Sequence, residues 1–206
     1  MKLAVISDLH DSLAHVDALR RTCETADALV VCGDFTTFGD QDRVQSMADV
    51  VSADGKPCLF VIGNCDTLAV DARLEGWQNL HGRVVAVGDW LFAGFGGSLP
   101  CPSHTPSEFP EGDFDRLLAR VKAECGSRAD RLIVVSHQPP FDTKADLLPS
   151  GQHVGCRALK TFIDDVQPAC FLTGHIHEAA SRSTVGRTLL VNPGPFSRGH
   201  IAVVEL

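Results

Sequence analysis

The sequence is constrained most by a series of short apolar runs, because each run ends directly before a polar residue that can bind a metal ion. The runs lie at residues 2–7, 28–32, 58–63, 131–136 and 169–174. Nearly continuous apolar runs of this length are typical of strands buried on both faces, as in a sheet covered by helices. Stretches of helical periodicity lie at about residues 13–23, 41–53, 113–125 and 156–166. The alternation of the two patterns predicts an α/β fold.

The remaining segments are predicted from turn signals and from missing periodicity. Residues 83–97 hold two strand-like runs around Gly88-Asp89 and predict a hairpin, while Ser12 is the expected N-cap of the first helix. Further strands are expected at residues 181–185, 187–191 and 200–205. Stretches that contain prolines and lack periodicity lie at residues 99–112 and 138–155. Such long stretches are expected to be functional surface loops. No repeat or linker divides the chain, so residues 1–206 are interpreted as one domain.

Charge narrows the class of partner. The chain has 26 acidic and 18 basic residues, a net charge of −8, and its Lys and Arg residues are scattered rather than clustered. Because nucleic-acid-binding proteins normally carry a basic face, a long nucleic acid is disfavoured as a partner. A small anionic substrate agrees with this charge if metal ions neutralise it. The sequence leaves the oligomeric state open, including a homo-oligomer.

Three features predict a cytoplasmic protein without a membrane partner. No apolar run approaches the roughly 20 residues that cross a bilayer. The first residues do not resemble a signal peptide, since their apolar stretch is short and Asp8 follows it closely. The eight cysteines form no C-x-x-C pair, and several lie within apolar runs, where a buried free thiol is the expected state.

The polar residues that follow the predicted strands are all of metal-ligand types. They are Asp8, His10, Asp34, Asn64, His137, His175 and His177. Because ligands of open α/β sheets bind beyond the carboxyl ends of the strands, these side chains are expected to converge. Imidazole and carboxylate ligands together suit Mn, Fe, Zn or Co. The set is larger than one tetrahedral zinc ion requires and fits two ions about 3.5–4 Å apart, as in many phosphatases and nucleases.

The same residues form motifs that resemble those of the calcineurin-like metallophosphoesterases. The motifs are Asp8-x-His10, Gly33-Asp34, Gly63-Asn64-x-Asp66, His137 and Gly174-His175-x-His177. The resemblance implies a sandwich of two β-sheets flanked by helices. The ligands that it implies are Asp8, His10 and His177 for one metal ion, Asn64, His137 and His175 for the other, and Asp34 as the bridge.

The activity implied by the resemblance is hydrolysis of a phosphoester by a hydroxide that bridges two divalent metal ions. Mn²⁺ is the expected metal, with Fe, Zn, Co or Ni as alternatives. Asp34 and Asn64 therefore count as catalytic residues as well as ligands.

At Cys65 the chain departs from the family, which usually has a histidine that stabilises the transition state or protonates the leaving oxygen. An unperturbed thiol titrates near pH 8.5 and is neutral below it, so it replaces a cationic imidazole poorly. Loss of a positioned acid typically costs about 10²–10⁴-fold in rate. Small family members that share the Asn-Cys-Asp sequence lean toward phosphodiesters. The resemblance therefore predicts a phosphodiesterase that acts on a small soluble substrate.

Four further positions bear on the site. Asp66 is expected to orient a ligand or loop by hydrogen bonding, with a simple carboxylate at a helix N-terminus as the alternative. His153, in the loop after His137, is the candidate replacement for the missing acid, with a surface histidine as the alternative. His153→Ala is then expected to lower turnover and to leave the metal content unchanged. Thr37 stands where the family commonly has an acidic residue, so the sequence does not show which contacts support that loop. Ser136 stands where the family frequently has glycine.

Three other functions stay open at this stage. One is a nuclease that acts on polymers, which the net charge and the absence of a basic groove with interleaved aromatic residues disfavour. A phosphomonoesterase would use the same ligands and would turn over monoesters faster than diesters. A non-catalytic scaffold would use the fold for protein binding, as the retromer subunit that resembles these proteins does, and the missing histidine at Cys65 fits that function. Retention of all the presumed ligands favours an enzyme.

Overall fold

The computed structural model describes residues 1–72 and 74–206 and contains two β-sheets. The five-stranded sheet consists of β1 (Lys2–Ile6), β2 (Ala28–Val31), β3 (Cys58–Phe60), β4 (Gln78–Asn79) and β11 (Ala202–Glu205), in the order β11-β1-β2-β3-β4. The six-stranded sheet consists of β5 (Val84–Val87), β6 (Trp90–Phe95), β7 (Leu132–Ser136), β8 (Cys170–Leu172), β9 (Ser181–Val185) and β10 (Thr188–Asn192), in the order β5-β6-β7-β8-β10-β9. Both sheets have a parallel centre, β1-β2-β3-β4 in one and β6-β7-β8-β10 in the other.

Helices cover the outer faces of the two sheets. The helices are α1 (Val16–Thr25), α2 (Gln41–Val51), α3 (Leu68–Ala72), α4 (Glu111–Cys125) and α5 (Arg157–Val166). The apolar faces of α1 and α2 pack with residues of the five-stranded sheet, and those of α4 and α5 pack with the six-stranded sheet. This arrangement confirms the α/β sandwich of two sheets flanked by helices, and the hairpin predicted around Gly88-Asp89 is β5-β6.

The inner faces of the sheets share a third apolar cluster. Val5, Val30 and Leu59 from the five-stranded sheet belong to it together with Phe92 and Ile133 from the six-stranded sheet. Alternate residues of the same strands face the helices, so every position of these strands except the first residues, Lys2 of β1 and Trp90 of β6, is buried. Burial on both faces explains why the runs contain few polar residues, since each buried Val, Leu or Ile side chain stabilises the fold by about 1.5–3 kcal/mol.

The first helix begins later than its periodicity predicts. Helix α1 starts at Val16, and Ser12 is not its N-cap, so that prediction was wrong. The cause lies upstream, where Asp8, His10 and Asp11 adopt left-handed backbone angles with φ of 57°, 46° and 63°. A right-handed helix cannot include such residues, so the chain turns toward the sheet edge before the helix begins.

Two short elements, α3 and β4, were not predicted, because five and two residues are too few to show a period. Among the residues that the structure describes, no helix is long and apolar enough to cross a membrane. All eight cysteines carry free thiols, and only Cys101 among them is not buried.

Candidate metal centre

The predicted ligands lie beyond the carboxyl ends of strands from both sheets. Asp8, His10, Asp34 and Asn64 follow β1, β2 and β3 of the five-stranded sheet. His137, His175 and His177 follow β7 and β8 of the six-stranded sheet. The two groups meet at one edge of the sandwich, where Oδ2 of Asp34 lies 3.5 Å from Nε2 of His137.

The site has a buried floor and a partly exposed rim. Asp8, Asp34 and His137 are 1%, 2% and 0% exposed, whereas His10 and His177 are half-buried. A buried floor strengthens electrostatic interactions because it excludes water.

One group of ligand atoms forms around Asp8. The Oδ1 atom of Asp8 lies 3.3 Å from Nε2 of His177 and 4.0 Å from Nε2 of His10, and the two imidazole nitrogens are 3.4 Å apart. Asp8 Oδ1 is also buried and accepts no hydrogen bond. An unpartnered buried carboxylate oxygen is costly, and a cation held between these three atoms removes that cost.

A second group of ligand atoms forms around His137. Its Nε2 atom lies 2.9 Å from Oδ1 of Asn64 and 3.5 Å from Oδ2 of Asp34. The other ring nitrogen, Nδ1, donates a hydrogen bond of 2.7 Å to the carbonyl oxygen of Cys32. That bond directs Nε2 into the site and leaves it free to act as a ligand once deprotonated.

Asp34 lies between the two groups. Its Oδ2 atom is 3.7 Å from Nε2 of His10 in one group and 3.5 Å from Nε2 of His137 in the other. Its Oδ1 atom accepts a 2.8 Å hydrogen bond from the backbone N–H of Cys65, which fixes the carboxylate. This placement between the two groups is compatible with a carboxylate that bridges two cations.

His175 lies beside these groups. Its backbone N–H donates a 3.2 Å hydrogen bond to Asp8 Oδ2, and its ring centroid is 5.0 Å from that of His137. Burial and the nearby His137 lower the pKa of His175 to about 4, so the ring is neutral at physiological pH. A neutral imidazole is the form that binds metal ions.

Several ligands have strained backbone conformations. Asp8, His10, Asp34 and His175 have φ between 46° and 69°, which L-residues other than Asn and Asp rarely adopt. For His10 and His175 this conformation costs on the order of 1–3 kcal/mol, and such strain concentrates at functional sites. Gly63 relieves further crowding, because a side chain there would overlap the Asp34 carboxylate.

Asp66 joins the two loops that carry Asp34 and Asn64. Its carboxylate accepts hydrogen bonds from the backbone N–H groups of Gly63, Phe35 and Thr36 at 2.9, 3.3 and 3.3 Å. All three donors precede α3 in the chain, and two belong to the loop of Asp34. These contacts favour the positioning role over the simple helix N-terminal carboxylate.

Thr37 supports His10, a role that the sequence did not reveal. The two side chains share a hydrogen bond of 3.2 Å between Nδ1 of His10 and Oγ1 of Thr37. When Nδ1 is the donor, Nε2 faces the site as a free ligand. Asp11 holds the threonine in turn by accepting its backbone N–H at 2.9 Å. The hydroxyl of Thr37 thus contacts His10 from a position where the family commonly has an acidic residue.

Cys65 has its sulfur in the site. The thiol is largely buried, and its Sγ atom lies within 4.8 Å of ligand atoms of His10 and Asp34. Burial and the negative charge of Asp34 raise the pKa of Cys65, so the thiol is neutral when no cation is bound. It therefore cannot supply the positive charge of an imidazolium.

The structure places His153 in contact with its own loop. Its Nδ1 atom is 2.7 Å from Oδ1 of Asp146, its Nε2 atom is 3.6 Å from Oδ1 of Asp142, and its ring contacts Phe141. None of the hydrogen bonds or ion pairs found within residues 1–72 and 74–206 joins His153 to a predicted ligand. The role of His153 as replacement acid stays a prediction.

Comparison with known proteins identifies the family. A family model described as the calcineurin-like phosphoesterase superfamily domain matches residues 1–203. The chain belongs to this superfamily. An uncharacterized protein of Methanocaldococcus jannaschii is 36% identical over 207 residues, which cover 96% of this chain and 89% of that protein. The family resemblance inferred from the motifs is therefore confirmed.

Solved structures similar to this calcineurin-like phosphoesterase share its fold. A Thermus thermophilus protein has a TM-score of 0.69 at 17% identity, with 99% of this chain and 98% of that chain covered. A dimetal phosphatase from Danio rerio has a TM-score of 0.66 at 14% identity, with 100% and 92% covered. Enzymes of the superfamily hydrolyse phosphoric esters with two metal ions, and this chain presents candidate ligands for them.

Metal binding is expected to strengthen as the pH rises. Burial alone would lower the pKa of His137, but the Asp34 carboxylate raises it to about 9, and the Asp8 carboxylate, 3.3 Å from Nε2 of His177, raises the pKa of His177. A cation must displace these protons, so affinity for Mn²⁺ increases between pH 6.5 and 9, by about tenfold per pH unit for each proton released. Isothermal titration calorimetry across this range measures the effect, and a pH-independent affinity would contradict it.

The same pKa shift gives the metal-free protein the opposite pH dependence. The folded-state pKa of His137 lies above its unfolded value of 6.5, so the pair with Asp34 stabilises the metal-free fold fully below pH 6.5. That contribution is lost as the pH rises through about 9. Chemical denaturation in the presence of a chelator measures it.

Thr37→Val is expected to weaken metal binding about 10–100-fold, because hydrogen bonds that orient metal-ligating histidines typically contribute that much. The change removes the bond to Nδ1 of His10 and leaves the fold's core untouched. Manganese affinity is measured by calorimetry, and Thr161→Val on the exposed side of α5 is the matched control. Equal affinities for the two variants would show that Thr37 does not orient His10.

Proposed function

We propose that the protein is a dinuclear metal-dependent phosphodiesterase that hydrolyses a small soluble phosphodiester. The observation that carries this proposal is the position of Asp34 Oδ2, which lies 3.7 Å from His10 Nε2 and 3.5 Å from His137 Nε2. Asp8, His10 and His177 would hold one divalent ion, and Asn64, His137 and His175 the other. The nitrogen and oxygen donors suit Mn²⁺, and Fe, Zn, Co or Ni also accept them.

When bound, the two cations neutralise the phosphate charge and lower the pKa of water enough to make a nucleophile at neutral pH. The protein's own groups do the rest. Asp34 holds its carboxylate between the two ligand groups through the N–H of Cys65. The carbonyl of Cys32 and the hydroxyl of Thr37 orient His137 and His10. Positioning of this kind provides much of the acceleration in phosphoryl transfer.

A diester rather than a monoester is favoured by the charge of the site. The position next to Asn64 holds Cys65, which carries no positive charge, where an imidazolium would add one. A diester carries one negative charge at neutral pH, whereas a monoester carries nearly two, so the diester needs less neutralisation. The leaving oxygen also lacks an acid from Cys65, so substrates with good leaving groups react fastest.

The decisive experiment compares bis(p-nitrophenyl) phosphate with p-nitrophenyl phosphate, each with Mn²⁺ and purified protein. We expect turnover of the diester to exceed that of the monoester by roughly tenfold or more, about 1.4 kcal/mol in barrier. Faster turnover of the monoester would make the protein a phosphomonoesterase. A folded protein that binds two equivalents of metal and hydrolyses neither compound would support the scaffold function instead.

We also propose that the substrate is small and that the protein works in the cytoplasm. The net charge of −8 and the scattered basic residues support a substrate other than a nucleic-acid polymer. Eight free thiols, one of them beside the ligands, suit a reducing compartment.

A further inference from the structure

The sulfur of Cys65 is part of a group of three potential ligand atoms. Sγ of Cys65, a ring nitrogen of His10 and a carboxylate oxygen of Asp34 all lie within 4.8 Å of one another. Because bonds from zinc to nitrogen, oxygen and sulfur donors are about 2.0–2.3 Å, one cation can contact all three atoms after side-chain rotations bring them closer together.

The position of this sulfur is fixed by its surroundings. The backbone N–H of Cys65 is bonded to Asp34 Oδ1 at 2.8 Å, and its carbonyl accepts the N–H of Phe38 at 3.3 Å. The side-chain amide of Asn64 donates to Sγ at 3.5 Å. The thiol therefore points toward the bridging carboxylate rather than into the apolar core, where the buried Cys32 lies between the sheets.

A second observation calls for a cation near this group. Asp8 Oδ1, 4.0 Å from Nε2 of His10, is buried and accepts no hydrogen bond. His10 thus belongs both to the group around Asp8 and to the group with Cys65. An ion bound by His10 would contact oxygen, nitrogen and sulfur donors.

We propose that Cys65 supplies a sulfur ligand to the metal ion held by His10 and Asp34, and that this position prefers thiophilic ions such as Zn²⁺, Co²⁺ or Cd²⁺ over Mn²⁺. The inference rests on the proposed dinuclear site. The thiol proton passes to solvent when the ion binds. Soft sulfur donors select softer ions, whereas the other position, with Asn64, His137 and His175, keeps only nitrogen and oxygen donors. The two metal positions are therefore unequal.

The test is cobalt titration of the demetallated full-length protein, followed in the near ultraviolet. We expect a sulfur-to-cobalt charge-transfer band in the wild type that disappears in Cys65→Ser and persists in Cys101→Ser. Cys101 is the matched control because it is a partly exposed thiol in another loop, bonded to Glu108. Competition between Cd²⁺ and Mn²⁺ is expected to shift toward Mn²⁺ by about 10–100-fold in Cys65→Ser.

X-ray absorption at the zinc edge of the wild-type protein counts sulfur neighbours directly, so the test does not depend on folding of the variant. Two bound ions, phosphodiesterase activity and no sulfur neighbour would overturn this inference and leave the proposed function intact. Failure to bind any metal would overturn both. A sulfur neighbour that persists in Cys65→Ser would assign the ligand to another cysteine and also overturn it.

Discussion

Asp34→Asn is expected to lower turnover of bis(p-nitrophenyl) phosphate by roughly 10³-fold or more. The substitution keeps the shape of the side chain and removes the negative charge that lies between the two ligand groups. Cations at such sites provide several kcal/mol of transition-state stabilisation, and each 1.36 kcal/mol is about tenfold in rate. The variant is measured under saturating Mn²⁺, with metal content determined by mass spectrometry.

The control for this prediction is Asp17→Asn, which removes an exposed carboxylate from the surface of α1. We expect it to retain wild-type turnover and two equivalents of metal. If Asp34→Asn binds less metal, the charge contributes to affinity as well as to rate. Wild-type turnover by Asp34→Asn would exclude the bridging role and with it the dinuclear mechanism.

Asp66→Ala is expected to lower the free energy of unfolding by about 3 kcal/mol and metal affinity by about 10–100-fold. The change leaves three buried backbone N–H groups without an acceptor, and an unsatisfied buried donor costs about 1–3 kcal/mol. Because these groups belong to the loops of Asp34 and Asn64, their release also loosens the ligands. Denaturant titration and calorimetry measure the two effects.

Two variants make this second prediction specific. Asp66→Asn keeps one acceptor oxygen and is expected to lose less stability and less affinity than Asp66→Ala. Asp27→Asn changes a surface carboxylate that accepts a single backbone N–H, from Lys2, and is expected to change unfolding by less than about 1 kcal/mol. A loss in stability without a loss in metal affinity would make Asp66 a purely structural residue.

The layers of the fold were predictable because strands that are buried on both faces consist almost entirely of apolar residues. Strands such as β1 and β7 contain almost only apolar residues, and α5 shows its buried face at helical spacing. The rule that ligands lie beyond carboxyl strand ends then brought Asp8, Asp34 and His137 into one neighbourhood. The start of α1 was mispredicted, because left-handed angles at aspartate and histidine have no signature in hydrophobic periodicity.

The supporting contacts of the site were not predictable. The backbone carbonyl of Cys32 orients His137. Because every residue has a backbone carbonyl, the sequence does not show which one forms this bond. Thr37 was noticed only as a departure from a pattern, and its bond to His10 depends on how two separate loops approach each other. His153 lay in a promising loop, yet its partner Asp146 is seven residues away in that same loop. Such pairings follow from tertiary geometry rather than from residue type.

The division of the predicted ligands between the two sheets has a consequence for folding. Strands β1, β2 and β3 carry four of them and strands β7 and β8 carry three, so each ion would contact residues from both halves of the sandwich. Each ion would then act as a reversible cross-link between segments that lie at least 73 residues apart in the chain. Part of the free energy of metal binding would therefore stabilise the packing of the two sheets against each other. Removal of the metal ions would then lower the stability of the fold as well as the catalytic activity.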